Sequence, residues 1–152
     1  MPLSEPHMTI PELLMREWRD QNARALPGAD ADSVRNAFAK VGVCVSADVV
    51  ALYQVIGGME IPDSRDWRLW SLAEVAAQQN ARTVFGAEFS DYIVDCWSFR
   101  VKPTDLETSE VYIDYGANQP PVRAAVNLQE FLEALAREPL RVLDPCAHRL
   151  LK

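Results

Sequence analysis

Few residues of this 152-residue chain have the type and spacing that phosphate binding or catalysis requires. The stretch "VALYQVIGGMEI" at residues 50–61 contains a glycine pair, and a phosphate-binding loop needs glycines followed by a lysine and a helix. Here Gly57 and Gly58 follow a helical pattern instead, and Glu60 and Asp63 would repel a phosphate. We therefore interpret the pair as a structural turn that ends a helix, with one glycine in the left-handed conformation.

Histidine and cysteine are scarce, which limits metal and nucleophile chemistry. His7 and His148 are the only histidines, and Cys146 with His148 forms a lone C-x-H without a second ligand pair. The odd number and wide spacing of Cys44, Cys96 and Cys146 predict reduced thiols and a cytoplasmic protein. A hydrolase using Cys96 would need His148 as its base, and it remains the third alternative. We expect no enzyme activity, cofactor or metal.

The charge balance is acidic, with 22 acids against 15 bases and a net charge of −7. Nucleic acid is therefore not the expected partner, because phosphate binding needs clustered Lys and Arg. Residues 86–122 carry seven acids and two bases, so this window holds −5 of the net charge. It is either a solvated face or a surface that steers a basic partner. No apolar run approaches the ~20 residues of a membrane span, and the first residues lack the features of an export signal.

Capping boxes predict three helix starts, at 9–12, 71–74 and 127–130, and the second opens a helix that is predicted to continue to about Arg82. Two more short helices are predicted from about residues 30 and 46. The segments "WRLW", "YIVDCWSFRV", "EVYIDYG" and "PVRAAV" predict strands, and "LRVL" predicts a short edge strand. Helices and strands are segregated along the chain, so we expect one α+β domain with a central antiparallel meander of about four strands or more.

Two tryptophans lie close together on the first predicted strand. Trp67 and Trp70 are three residues apart, so their side chains point to opposite faces of a strand. One is expected in the core, while the other would be exposed beside Asp63 and Asp66 and could anchor an interface. The alternative is that both pack inside the protein.

The order of these motifs resembles the SUKH superfamily, the Smi/Knr-type domains. In that family an apolar helix ends at a glycine turn, a short strand leads into an "sl-x-E" helix start, and late strands lead into a final helix. The resemblance covers residues 46–135, with a helical extension at 9–42 and a short tail at 139–152. The residues that carry it are Leu52, Tyr53, Gly57, Gly58, Leu69, Trp70, Leu72, Glu74, Val111, Tyr112, Phe131 and Leu132.

The sequence departs from the family pattern at two places. Ser46-Ala-Asp48 stands where the family often has a Pro-x-x-Tyr-type approach to the first helix. Asn127-Leu128 stands where the family favours Ser-Phe, although Asn caps a helix as well as Ser. These departures leave the subfamily, and therefore the partner, open.

The resemblance implies a domain without a catalytic centre, and many bacterial members are immunity proteins that neutralise a toxin, often a nuclease. An acidic inhibitor suits the cationic site of a nuclease. We therefore expect a non-enzymatic binding protein whose partner is a basic toxin domain, or, alternatively, a general protein-interaction module. The predicted contact residues are Glu60, Asp63, Asp66, Trp67, Asp105, Glu107, Glu110 and Asp114.

Overall fold

Three helices come first in this chain, an antiparallel sheet with one helix between its first two strands follows, and two helices close the chain. The structure is a computed structural model that describes residues 9–22, 24–78, 83–94, 96–116 and 119–145. A 3-10 turn lies at Thr83–Phe85, just before the second strand. The other elements are α1 (Ile10–Asp20), α2 (Ala31–Ala39), α3 (Ala47–Val55), β1 (Trp67–Leu69), α4 (Leu72–Ala77), β2 (Ala87–Tyr92), β3 (Trp97–Pro103), β4 (Ser109–Asp114), β5 (Val122–Ala125), α5 (Leu128–Arg137) and α6 (Pro139–Leu143).

The five strands form one antiparallel meander in the order β1-β2-β3-β4-β5. The predicted α+β fold with a central antiparallel sheet is therefore confirmed. Alternation along each strand divides the side chains between two faces. The inner face is apolar and buried, and includes Trp67, Leu69, Phe99, Val101, Val111 and Ile113. The outer face carries Arg68, Glu88, Arg100, Glu110 and Arg123, which pair across strands.

The predicted long strand "YIVDCWSFRV" is in fact a hairpin. β2 ends at Tyr92, β3 begins at Trp97, and these two residues pair with each other. Ile93 and Val94 form the turn with φ angles of 49° and 45°, and Asp95 lies outside the described residues. β-branched residues rarely adopt a positive φ, so their presence predicted a strand where the chain turns. The same error concealed β2, which the sequence pattern did not predict.

The inner face of the sheet packs against α1 and α5. Trp18 of α1 stacks on Trp67 with ring centroids 5.7 Å apart. Phe131 of α5 lies 6.2 Å from the Trp67 ring and 5.2 Å from the Phe99 ring. All four side chains are fully buried. The N-terminal helix therefore belongs to the same core as the sheet and α5.

Helix boundaries follow the predicted caps closely at the N-terminal ends. Thr9 and Ser71 both form complete capping boxes, and Asn127 accepts a hydrogen bond from the N–H of Glu130 at 2.8 Å. The predicted edge strand "LRVL" is wrong, because it lies in α6 behind the helix-initiating Pro139. The helix predicted to continue to Arg82 ends with α4 at residue 77, and residues 79–82 lie outside the described part of the chain.

The glycine pair lies just beyond α3, so the predicted helix stop is confirmed. The prediction that a left-handed glycine closes the helix is only partly right. Gly58 does have a positive φ, of 132°, but α3 has already ended at Val55. The pair allows two backbones to meet: Gly57 N–H donates to the Leu26 carbonyl at 3.1 Å, and Leu26 N–H donates to the Gly58 carbonyl at 2.8 Å. A Cβ on Gly57 would lie 2.3 Å from the carbonyl oxygen of Pro27. The glycines are thus required for close packing of residues 24–29 against the end of α3.

Among the residues that the structure describes, no helix combines the length and apolar character that a membrane span requires.

Candidate functional site

The predicted contact residues fall into two groups at opposite ends of β3. Asp66 lies beside the β2–β3 turn, where its carbonyl accepts a hydrogen bond from the N–H of Ile93 at 2.8 Å. Asp105 and Glu107 lie in the β3–β4 turn at the other end of the sheet. The length of β3 separates these ends by ~20 Å at roughly 3.3 Å per residue. The acids that the sequence suggested as one surface are therefore two separate clusters.

Asp63 and Trp67 are interior residues, and their assignment to a partner-contact surface is wrong. Trp67 has no exposed surface, and the side chain of Asp63 is also fully covered. Asp63 Oδ2 accepts hydrogen bonds from Trp18 Nε1 at 2.8 Å and from Arg65 Nη1 at 3.0 Å. Its Oδ1 accepts from the backbone N–H groups of Arg65 at 2.8 Å and Trp67 at 3.2 Å. Asp63 therefore joins α1 to the loop before β1.

Trp70 is half-buried, so it is the less buried of the two tryptophans. Its indole N–H donates to Asp91 Oδ2 at 2.7 Å, and Arg68 donates to the same oxygen at 3.2 Å. Arg68 also makes a two-pronged contact with the Glu74 carboxylate, at 2.9 and 2.7 Å. Burial alone would raise the pKa of Glu74, but its hydrogen bonds with Arg68 and Ser71 outweigh this and lower the pKa. This charge cluster links α4 to β1 and β2.

Asp114 also serves the fold rather than the surface, so its prediction as a contact residue is wrong. It is only 5% exposed, and Arg100 Nε donates to its Oδ2 at 2.7 Å. Arg100 is itself 2% exposed and donates to Glu88 Oε1 at 3.1 Å. Glu110 is half-buried and forms an ion pair with Arg123 at 3.2 Å. These carboxylates offer little unpaired charge to a partner.

Glu60 and Asp66 are exposed near the start of β1. Glu60 lies 3.9 Å from Arg24 in an ion pair whose two side chains are both more than half exposed. Such pairs contribute little to stability, so the Glu60 carboxylate remains accessible to a partner. The backbones of both residues are hydrogen-bonded, Glu60 to Arg24 at 3.2 Å and Asp66 to Asp63 at 2.9 Å. Among the described residues, however, no hydrogen bond fixes the position of either carboxylate.

The β3–β4 turn has both the exposure and the rigidity that binding requires. Leu106 is 81% exposed, and it lies between the exposed residues Asp105 and Glu107. Asp105 Oδ1 accepts the backbone N–H groups of Glu107 and Thr108, each at 2.8 Å. The hydrogen bond from Thr108, followed by that from Glu107, lowers the pKa of Asp105, which keeps this carboxylate charged.

The same turn is fastened to the first turn of α3. The carbonyl of Leu106 accepts the N–H of Ala47 at 2.8 Å, and that of Glu107 accepts the N–H of Asp48 at 3.0 Å. These carbonyls satisfy two of the free N–H groups at the helix start. Asp48 Oδ2 in turn accepts the N–H of Ser109 at 2.9 Å. The exposed Leu106 therefore projects from a turn that is hydrogen-bonded on both sides.

An open groove of about 670 Å³ adjoins this turn. Leu106, Glu107, Arg35 and the segment after α2 all line this groove. We call Asp105, Leu106, Glu107 and this groove the turn surface. The other groove residues that bear on the argument are Val43, Cys44, Val45, Ala47 and Val50. The turn surface can hold an apolar side chain beside two carboxylates.

The residues considered for catalysis do not assemble into a described site. Cys96 is exposed in the β2–β3 turn rather than on a strand, and Cys44 is exposed at the groove. The thiol of Cys146 and both histidines, His7 and His148, lie outside the described residues. Within the described part of the chain, no three Cys, His, Asp or Glu side chains group as metal ligands would.

Sequence reasoning placed Asp105 and Glu107 at a surface but missed Leu106. Its signal was available in "PTDLETS", where a single apolar residue stands between two acids in a turn-like stretch. The groove had no such signal, because Val43 and Val50 are ordinary apolar residues until α2, α3 and the turn meet. No protein-family model matches the chain, and no curated protein matches it by sequence.

Proposed function

We propose that this chain is a non-enzymatic binding domain that recognises a basic protein through the turn surface. The observation that carries the proposal is Leu106, 81% exposed on a turn that its neighbours hold in place. An exposed apolar patch with a polar rim marks an interaction site, and Leu106 extends the apolar lining of the groove. A pre-ordered turn also reduces the entropy lost when a partner binds.

The charge of the turn indicates the class of partner. Asp105 and Glu107 flank the apolar contact, and the chain as a whole carries −7. Carboxylates around an apolar anchor accelerate association with a cationic protein and oppose an anionic one. The resemblance to SUKH immunity proteins supports a bacterial toxin domain as such a partner, with a nuclease as one example. We therefore propose toxin neutralisation as the function.

The test is binding to the product of the gene adjacent to this chain's gene. Leu106→Ser removes the apolar anchor, and burial of a leucine contributes about 2 kcal/mol. We expect the dissociation constant to rise by roughly 30-fold in surface plasmon resonance. Val94→Ser is the matched control, because Val94 is 76% exposed at the other end of the sheet. Equal effects of the two changes would contradict the assignment of the site.

Removing the charges of the turn separates electrostatic steering of the partner from the apolar contact made by Leu106. Asp105→Asn retains the Oδ1 acceptor of the turn, and combining it with Glu107→Gln removes both charges. We expect slower association and a weaker dependence on salt, with little change in dissociation. The paired control is Glu60→Gln with Asp66→Asn. If the adjacent gene product neither binds nor loses its toxicity when this chain is co-expressed, the general protein-interaction module becomes the better reading.

A further inference from the structure

A second groove lies on a different side of α3, between the start of α1 and the exposed face of α5. Its volume is about 540 Å³, which is within the range of roughly 300–1,000 Å³ for ligand sites. Ala51 of α3 is exposed there, and Ile10 and Val55 are half-buried. Together with Leu128 and Leu132 of α5, these residues give the groove an apolar floor. We call it the three-helix groove.

Charge is distributed unevenly around the three-helix groove. Three carboxylates line it, those of Glu12, Asp48 and Glu133, and its described lining contains neither lysine nor arginine. Glu12 and Asp48 serve as helix-start residues. Glu133 is half-buried on α5, and among the described residues it accepts a single weak contact, from Gln129 at 3.4 Å. An apolar floor with an acidic rim is complementary to a segment that has apolar and basic residues.

The walls of the groove indicate the shape of that segment. The described residues that line it belong to the start of α1, to α3 and to α5, and none of them lies on a strand, so this lining offers no strand edge to which a peptide strand could be added. An amphipathic helix instead fits between helices through apolar residues at i, i+3, i+4 and i+7. We propose that the three-helix groove docks a basic amphipathic helix of a partner protein. This inference goes beyond the proposed function, because it requires neither a toxin nor the turn surface.

Two other occupants have to be weighed, the chain's own first residues and a second copy of the chain, and neither brings a net positive charge from its side chains to the acidic rim. Residues 1–8 directly precede Thr9 at the groove and contain Glu5 but no lysine or arginine. A second copy of the chain would bring a further net charge of −7 to an acidic rim. Like charges at close range oppose binding. A basic segment meets no such repulsion.

The probe is a fluorescein-labelled peptide of leucine and lysine, with leucines at i, i+3, i+4 and i+7. We expect its binding to the full chain to perturb the amide NMR signals of Ala51, Val55 and Leu132. Two further peptides serve as controls: one has glutamate in place of lysine, and one has its leucines out of helical register. Equal binding of all three peptides, or perturbation centred elsewhere, would overturn the proposal.

Ala51→Arg places a bulky cation in the groove without altering a buried side chain. We expect it to weaken probe binding by at least about tenfold in fluorescence anisotropy, through lost space and charge repulsion. Ala73→Arg is the matched control, since Ala73 is also an exposed helical alanine, on α4. It should change the affinity by less than about twofold. Similar losses for both variants would indicate general attraction to an acidic protein and would reject the site.

Further variants test the same groove in case Ala51→Arg disturbs folding. Glu133→Gln should weaken binding a few-fold and reduce its dependence on salt. Leu3→Ser combined with Met8→Ser should leave the affinity for the probe unchanged; a large gain would assign the groove to the chain's own first residues. Light scattering should show the same mass for wild type and Ala51→Arg. A dimer lost on this substitution would assign the groove to a second copy.

Discussion

Replacing Asp63 by Asn tests whether this carboxylate holds the fold together. The substitution preserves shape and keeps Oδ1, which accepts the N–H groups of Arg65 and Trp67. The change falls on Oδ2, which accepts Trp18 Nε1 at 2.8 Å and Arg65 Nη1 at 3.0 Å. An amide nitrogen at this place would present a donor to two donors. The variant therefore loses two charge-assisted hydrogen bonds inside the protein.

The size of the effect follows from burial. Hydrogen bonds to charged groups contribute about 1.5–3 kcal/mol each, and breaking a buried ion pair costs about 3–5 kcal/mol. Arg65 retains its contacts with Glu17 and with the carbonyl of Leu135, so its charge stays partly compensated. We therefore expect the free energy of unfolding to fall by about 3 kcal/mol. For a chain of this length, Tm should fall by roughly 6–12 °C.

The assay is urea denaturation at pH 7, followed by tryptophan fluorescence and fitted by linear extrapolation. Asp66→Asn is the matched control, because Asp66 is exposed in the same loop. It should change the free energy of unfolding by less than about 0.5 kcal/mol. A Trp18→Phe background removes one of the two donors, so Asp63→Asn should cost about 1 kcal/mol less there.

Two results would refute this reasoning. The first is an Asp63→Asn variant as stable as wild type, which would mean that the carboxylate is hydrated rather than enclosed. The second is an equal loss in Asp66→Asn, which would mean that net charge governs the effect. Partner affinity measured well below Tm should be nearly unchanged, since Asp63 reaches no surface. A specific loss of affinity in a fully folded variant would restore Asp63 as a contact residue.

Two further predictions concern backbone packing and alkaline stability. Gly28→Ala should destabilise the protein by about 3 kcal/mol in urea titrations, because its Cβ would lie 1.9 Å from the Gln54 carbonyl oxygen. Gly116→Ala has open space around its Cβ and a φ of 73°, so it should cost only about 1 kcal/mol. Equal losses for the two variants would contradict the packing argument. Burial raises the pKa of Tyr53 above its ordinary 10.0, so its contribution to stability is complete below about pH 10 and is lost as the pH rises further, when the unfolded chain ionises first. Urea titrations at pH 9 and about pH 11 should show a smaller alkaline loss in Tyr53→Phe than in wild type, and identical losses would refute the assignment.

Local signals in the sequence predicted the parts of the fold that depend on neighbouring residues. The capping boxes that begin at Thr9 and Ser71 span four residues each, so their hydrogen bonds form independently of the rest of the chain. The α+β class followed for the same reason, from the order of helical and strand patterns. The prediction failed at Ile93 and Val94, because their strand propensity was overridden by the pairing of Tyr92 with Trp97.

The candidate site also has features that the sequence determined and features that depend on tertiary contacts. The sequence by itself determined that the chain is acidic, that its acids concentrate in residues 86–122, and that Gly57 follows the end of a helix. Only the tertiary structure decided which acids reach solvent, since Asp63 and Asp114 are enclosed by partners from elsewhere in the chain while Asp105 is not. Burial depends on contacts between segments that are distant in sequence, and composition carries no record of those contacts.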